Sequence, residues 1–378
     1  MINKSLLNLL KNLIIRPSIT PNDAGCQSMI ASRLQLIGFD CENLSYAEVT
    51  NLWAYRGTGS PLIIFAGHTD VVPVGEESKW KSNPFYPLED NGYIYGRGTS
   101  DMKGSIAAFI IAIEEFLEKN PKHKGSIAIM LTSDEEGPAV NGTSIICNEL
   151  KNRKIQPDYC IIGEPTSEKI LGDVCKNGRR GSLSGYLTVQ GVQGHIAYSN
   201  STSNPIHQLA PALYSLIKKK WDDGNQHFPS TTFQISNLIS GTGAENVIPD
   251  NVKIKFNFRF SPESTIESLK TQVNEILKKS NIQYSLDWKI NGKPFLTLPN
   301  TLTKALGKSI YKETNILTKL STSGGTSDGR FITKICPQVV EFGPINESIH
   351  KIDESIKISD LELLKNIYKS TLENILLV

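Results

Sequence analysis

The stretch Leu62-Ile63-Ile64-Phe65-Ala66-Gly67-His68-Thr69-Asp70 decides the fold, because an uninterrupted apolar run ends abruptly in an imidazole and a carboxylate. Five consecutive apolar residues bounded by turn formers read as a strand buried on both faces, the pattern of a parallel sheet covered by helices. Ile127 to Thr132 and Tyr159 to Ile162 repeat the theme, the first followed by Asp134, Glu135 and Glu136, the second by Glu164. Between these runs, Gly104 to Glu118 predicts a helix with Ile106, Phe109, Ile110, Ile113 and Leu117 on one face, closed by Lys119, Asn120 and Pro121. Alternating strands and helices imply an α/β, mainly parallel sheet. Open sheets of this kind bind ligands beyond the carboxyl ends of their strands, so the polar residues there are expected to converge.

The style changes after about residue 177. Strand (Leu183 to Gln190), helix (Pro205 to Lys219), two strands (Thr231 to Ile239, Val252 to Phe260), helix (Thr265 to Lys279) and strand (Tyr284 to Ile290) follow in the ferredoxin-like order β-α-β-β-α-β. From about Leu298 the α/β style resumes, with a strand at Gln338 to Phe342 and a last helix from about Ser359 to Leu377. Two domains are therefore expected: 1–177 with 293–378, and an inserted α+β domain over 178–292.

Composition removes several classes of function. In 378 residues, 40 Lys and Arg against 38 Asp and Glu leave a net charge of +2, so no basic field marks a nucleic-acid binder. The longest apolar stretch, Ile106 to Ile113, is far short of the roughly 18 residues a membrane helix needs. Leu6, Leu7, Leu9, Leu10, Leu13 and Ile14, broken by Lys4, Lys11 and Arg16, read as an amphipathic helix rather than a leader. The 6 cysteines never form a C-x-x-C pair, which argues for free thiols in a reducing compartment, the cytoplasm, and against a cysteine zinc site.

Five stretches hold imidazoles or carboxylates in loops punctuated by Gly or Pro: Gly67 to Asp70, Gly96 to Gly104, Ser133 to Gly137, Gly163 to Pro165, and Ile349 to Lys351. Taken one at a time they are weak. His68 is compatible with a hydrogen-bonded loop histidine, Asp101 with a helix cap, Glu135 and Glu136 with a solvated turn. Together they offer two imidazoles and several carboxylates, a nitrogen and oxygen donor set suited to zinc or cobalt and not to calcium. His123, His207 and His227 are assigned to solvent.

The order and content of these stretches resemble the M20 family of co-catalytic metallo-hydrolases across nearly the whole chain. The likeness is carried by Phe65-Ala-Gly-His-Thr-Asp-Val-Val-Pro73, Thr132-Ser-Asp-Glu-Glu-Gly-Pro138, Lys176-Asn-Gly-Arg-Arg-Gly-Ser182, Gly191-Val-Gln-Gly-His-Ile-Ala-Tyr198, Gly241-Thr-Gly-Ala-Glu-Asn-Val-Ile-Pro249 and Ser321-Thr-Ser-Gly-Gly-Thr-Ser-Asp-Gly-Arg-Phe331. It implies a zinc-hydrolase catalytic domain with an inserted dimerisation (lid) domain, and two Zn2+ per subunit with Co2+ as a substitute. His68 and Glu164 would bind one metal, Glu136 and His350 the other, and Asp101 would bridge them. Glu135 would be the acid/base and Asp70 the carboxylate holding the His68 imidazole. Two departures flank the motifs: Thr99-Ser100, and the stretch Ser199 to Ser203.

The resemblance further implies a homodimer in which His195 reaches the active site of the other subunit as an oxyanion donor. Arg179 and Arg259 would clamp the carboxylates of a small acidic substrate bearing three of them, since a guanidinium fork matches a carboxylate in a bidentate way. Ser182, Tyr198, Asn246, Gly325, Thr326 and Asn346 would complete the substrate shell. The expected reaction is hydrolysis of a linear amide; an acetylornithine deacetylase-like or aminoacylase-like activity is the alternative within the family. A single-metal peptidase and a non-catalytic binder of acidic metabolites are the alternatives outside this chemistry.

Overall fold

The computed structural model describes residues 3–377, without the side chains of 199 and 200. The chain divides into two compact units, Met1–Gly178 with Leu296–Ser321 and Ser327–Val378, and Arg179–Phe295 with Thr322–Thr326.

The first unit is built on an eight-stranded mixed sheet, in the order Asp40–Asn43, Asn51–Gly57, Ser126–Thr132, Leu62–His68, Tyr159–Ile162, Gln338–Glu341, Val174–Lys176 and Lys319–Ser321. Its centre is parallel: Leu62–His68 pairs with Ser126–Thr132 from Leu62↔Ser126 to His68↔Thr132, and with Tyr159–Ile162 on its other side. The apolar run at 62–66 alternates between two cores because successive side chains of a strand point to opposite faces. Ile63 and Phe65 join Ile127, Ile129 and Ile161 under the helices Lys4–Ile14, Gly104–Lys119, Thr301–Thr314 and Ile358–Leu376. Leu62, Ile64 and Ala66 join Ala128, Met130, Cys160 and Ile162 under Thr143–Asn152 and Gly329–Ile332. Phe109 lies 4.4 Å from Phe65 and 4.2 Å from Tyr368 between ring centroids, which locks two helices onto the first face. Each such buried aromatic contributes about 1.5–3 kcal/mol. A small side sheet of Leu88–Asp90, Tyr93–Tyr95 and Ser355–Lys357 lies outside this pattern.

The second unit is a four-stranded antiparallel sheet in the order Thr232–Ser240, Asn251–Phe260, Gly181–Gln190 and Tyr284–Gly292. Helices Pro205–Lys218 and Ile266–Lys279 cover one face, burying Leu209, Leu216, Leu269, Val273 and Leu277 against Leu183, Leu187, Ile254, Phe256 and Phe258. Gly185 stands opposite Phe256, whose ring occupies the space of a side chain there: a Cβ on Gly185 would lie 2.1 Å from it.

The sequence places the Gly324-Gly325-Thr326 loop with the catalytic domain, whereas Thr322–Thr326 groups with the second unit. Hydrogen bonds account for the difference. Arg179 Nη1 donates to Ser323 O at 3.0 Å, Arg259 Nη1 to Thr326 Oγ1 at 2.6 Å, and Thr322 Oγ1 to His227 O at 2.6 Å.

Candidate metal centre

His68 ends the strand Leu62–His68 and is 1% exposed. Its Nδ1 donates to the main-chain oxygen of Asp70 at 2.9 Å, which fixes the tautomer and turns Nε2 towards Asp101 Oδ1 at 3.2 Å and Glu164 Oε1 at 3.9 Å. Glu164 follows the parallel neighbour Tyr159–Ile162 by two residues, so sheet register alone brings it to the imidazole.

Asp101 comes from an irregular turn, Thr99–Lys103, that enters the helix Gly104–Lys119; the Asp101–Met102 peptide is cis. Only glycine fits at 104, since a Cβ there would lie 2.4 Å from Thr99 O. The two oxygens of Asp101 face different ways, Oδ1 to His68 and Oδ2 to His350 Nε2 at 3.2 Å. His350 Nε2 is also 2.9 Å from Glu136 Oε1. The result is two donor triads, His68 with Asp101 and Glu164, and Asp101 with Glu136 and His350, each with its ligand atoms within 4.8 Å. Asp101 belongs to both. A third grouping, His68 with Glu135 and Glu136, meets the same distance.

The Asp70 carboxylate departs from its expected role. It stands 3.6 Å from His68 Nδ1 and instead accepts from the main-chain N–H groups of Glu135 (3.3 Å) and Glu136 (3.1 Å). The carbonyl of Asp70 already satisfies the imidazole, and the acidic loop has amides with no strand partner, so the carboxylate serves the loop. Asp134, buried, holds the other side of that loop by accepting from Ala139, Val140 and Asn141.

Burial alone would lower the His68 pKa, but the surrounding Asp101, Asp70 and Glu164 outweigh it and hold the imidazole well above its ordinary value. Hydrogen bonding of the His350 imidazole to the Asp101 and Glu136 carboxylates pushes it up to about 10. Burial and the charge of Glu164 raise the Glu135 carboxyl well above the usual carboxylate range. Asp328, buried beside this cluster, is pushed up to about 6 by burial and in turn raises Glu135. A buried excess of negative charge that draws protons onto both imidazoles is the donor chemistry a pair of divalent cations satisfies. The residues therefore fit such ions.

The remaining expected residues lie as follows. Ser182 is buried and its hydroxyl accepts from Asn257 Nδ2 (3.1 Å) and Asn291 Nδ2 (3.3 Å). Arg179 is buried, with a Cβ on Gly324 placed 2.5 Å from its Nη1. His195 is exposed on a short pairing with Val247; its Nδ1 accepts from Ala197 N at 3.1 Å and its ring lies 5.6 Å from Tyr198. Asn246 and Gly325 are exposed, Arg259, Thr326 and Asn346 half-buried, and Asn346 N donates to Ser167 O in the first unit. In the stretch Ser199 to Ser203, the side chains of 199 and 200 fall outside those described. His123, assigned to solvent, is half-buried: its Nε2 lies 3.0 Å from Arg56 Nη1 and its ring 5.4 Å from Phe116. Asp134, Asp328, Arg97 and Glu354 are absent from the sequence-based set. The first three lie inside quoted stretches, so their signal is proximity to a motif rather than spacing.

Residues 64–374 match the profile of Peptidase family M20/M25/M40. A succinyl-diaminopimelate desuccinylase of Bordetella parapertussis is 59% identical over 373 residues, covering 99% of this chain and 98% of that one. The protein of the same name from Nitrosomonas europaea is 55% identical over 375 residues, covering 99% and 100%. Among solved structures, the M20 family metallo-carboxypeptidase Sso-CP2 of Sulfolobus solfataricus superposes with a TM-score of 0.84 at 19% identity over 98% of this chain and 99% of that one. The YXEP protein of Bacillus subtilis, described as a dinuclear metal binding peptidase from the M20 family, gives 0.72 at 15% identity over 97% and 96%.

Proposed function

The chain belongs to peptidase family M20/M25/M40, and from that premise we propose that it is a two-metal amide hydrolase converting N-succinyl-LL-2,6-diaminopimelate and water to LL-2,6-diaminopimelate and succinate, a step of diaminopimelate and lysine synthesis. The observation that carries the chemistry is Asp101, whose two oxygens serve two separate triads of His and Glu donors. The substrate rests on relatives that share more than half of their residues with this chain over nearly its full length.

His68, Asp101 and Glu164 would hold one ion and Asp101, Glu136 and His350 the other; zinc is the proposed metal, with cobalt able to replace it. When bound, the ions lower the pKa of water from 15.7 towards about 7 and polarise the amide carbonyl. Glu135 takes the proton of the attacking water and returns it to the leaving nitrogen as the C–N bond breaks, so one carboxylate acts as base and then acid. Burial and the charge of Glu164 raise its carboxyl well above the usual carboxylate range, which strengthens it as a proton acceptor. Asp70 orients His68 through its carbonyl and Glu135 through its carboxylate.

The assignment of His195 as the donor to the oxyanion of the tetrahedral intermediate, supplied by a partner protomer, belongs to the same proposal. So do Arg179 and Arg259 as carboxylate clamps, with Ser182, Tyr198, Asn246, Gly325, Thr326 and Asn346 around the substrate. A homodimer through the second unit is supported by an exposed apolar stripe, Ile206, Tyr214 and Ile217, on the helix Pro205–Lys218. Six unpaired cysteines support a cytoplasmic location. Among the described residues no helix is long and apolar enough to cross a membrane.

Succinate release by the zinc-loaded protein tests this reading. Turnover lost on chelation and on Glu135→Ala is the expected result. Cleavage of N-acetylated amino acids with the succinylated substrate left intact would overturn the substrate while leaving the chemistry standing.

A further inference from the structure

Glu354 is fully buried, four residues beyond His350, and every acceptor direction of its carboxylate is used on one short segment. Oε1 accepts from the main-chain N–H groups of Ser100 and Asp101, both at 2.9 Å. Oε2 accepts from Gly98 N at 2.9 Å and from Arg97 Nη1 at 3.0 Å. The main chain repeats the link, with Gly96 N donating to Glu354 O at 2.9 Å. Arg97, itself 2% exposed, continues it by donating to Lys351 O at 3.1 Å and Pro73 O at 3.3 Å. One ion pair thus ties together the turn that carries Asp101, the loop that carries His350, and the chain just past Asp70.

The loop from 348 to 355 has a fixed form of its own. Ser348 Oγ donates to Ser355 O at 3.0 Å and accepts from Ser355 N at 3.1 Å, which closes its base. At its tip His350 holds a left-handed φ of +59°, and Asp353, also at +59°, accepts from Lys81 N at 2.8 Å. With the base closed and Glu354 fastened to residues 97–101, the spacing of 3.2 Å between Asp101 Oδ2 and His350 Nε2 follows from where that single carboxylate sits.

We infer that Glu354 is a positioning residue for the metal centre: it sets the distance between the shared carboxylate of Asp101 and the imidazole of His350, and thereby the affinity of the ion those two residues hold. Carboxylates that orient a metal ligand without touching the metal are typically worth 10–100-fold in metal affinity. Glu354 fills that place through the ligand's main chain instead of its side chain. The inference rests on the two-metal reading above.

Glu354→Gln turns one oxygen into a donor facing amides or the guanidinium, so half of the clamp becomes repulsive at nearly unchanged volume. Metal-free and zinc-titrated protein are compared by calorimetry, and cobalt-loaded protein by its visible absorption. The expected result is a variant that still folds, with at least one of the two zinc dissociation constants raised about 10–100-fold. The cobalt bands shift, and kcat falls while KM changes by less than about twofold. A zinc titration and cobalt spectrum identical to wild type, with only a lower melting temperature, overturn the inference and leave Glu354 a structural residue. Should the glutamine variant not fold, Glu354→Asp carries the same test, because it keeps the charge opposite Arg97 but withdraws it by one methylene; wild-type titration and bands in that variant overturn the inference equally. Wild-type protein that takes up fewer than two zinc ions overturns the two-metal reading instead.

Discussion

His68 gives its Nδ1 proton to the main-chain oxygen of Asp70 at 2.9 Å, while the carboxylate of the same residue stands 3.6 Å off and accepts from the acidic loop. Orientation of the imidazole is therefore a property of the backbone at 70, and orientation of Glu135 a property of the side chain. Asp70→Ala should leave uptake of zinc at His68 near wild type yet lower kcat by about 10–100-fold, because two loop amides lose their acceptor. Zinc titration beside steady-state kinetics separates the two effects; equal losses in both would show that the carboxylate holds the imidazole after all.

Glu135 lies beside the donors, its carboxyl raised well above the usual carboxylate range by burial and the charge of Glu164. Glu135→Gln removes proton transfer at almost constant size, and kcat is expected to drop about 10²–10⁴-fold. Two zinc ions should still bind by calorimetry. Loss of an ion together with activity would make Glu135 a ligand.

Gly104 is the point where the Asp101 turn closes onto its helix. A methyl group there meets Thr99 O at 2.4 Å, so Gly104→Ala must shift the turn. Overpacking of this kind costs about 1–3 kcal/mol. Urea unfolding of the metal-free protein should show that loss, and zinc affinity should weaken with it. A variant of unchanged stability and affinity would mean that the turn yields freely.

Asp222 organises the second unit by accepting from Gly224 N (2.9 Å), Thr231 N (2.8 Å), Ser261 Oγ (3.0 Å), Ser264 Oγ (2.6 Å) and Thr231 Oγ1. Burial would raise its pKa, but these hydrogen bonds win and hold it at about 2. Folding thus favours the ionised form, against an unfolded aspartate near 3.9. The stabilisation is complete above about pH 4 and disappears as pH falls towards 2. Asp222→Ala is expected to cost about 1–3 kcal/mol at neutral pH. It should also flatten the loss of stability between pH 4 and 2, as read by urea unfolding across that range. An acid limb as steep as wild type would assign it to other groups.

The exposed stripe on Pro205–Lys218 predicts its own test. Tyr214, 65% exposed, should be covered in the proposed dimer, so Tyr214→Asp is expected to shift the mass by light scattering towards the 41.7 kDa of a single chain. A variant that keeps the mass of two chains excludes this face from the interface.

The centre of the first sheet is legible because each of its strands is long and apolar enough to announce itself, and because three donors follow these strands at short distance: His68 at the end of one, Glu164 two residues past another, Glu136 four past Thr132. Edge strands such as Asp40–Asn43 and Lys319–Ser321 are too short and too mixed for a period to show. Asp101 and His350 do not follow a strand of that parallel trio, and nothing in their local pattern separates a ligand from a capping or surface residue; their stretches drew notice for their residue types, and the family likeness assigned their roles. Glu354 is less visible still. A glutamate after His350-Lys351-Ile352-Asp353 reads as solvated, and its partners are main-chain amides, which leave no mark in a sequence. The same blindness explains Asp70, whose carbonyl and carboxylate exchanged the tasks that residue type alone suggests.

The pairing of His68 with Thr132 across parallel strands also bears on where this protein tolerates added length. One extra residue inside either strand would advance its end by about 3.3 Å and turn the following side chain to the opposite face of the sheet, taking the imidazole or the acidic loop with it. The opposite ends of the same strands, where Thr58 to Ser60 lie exposed and Pro121 to Lys124 largely so, carry no such demand. Epitopes, affinity tags or grafted peptides belong at that rim, where lengthening the chain leaves the register untouched.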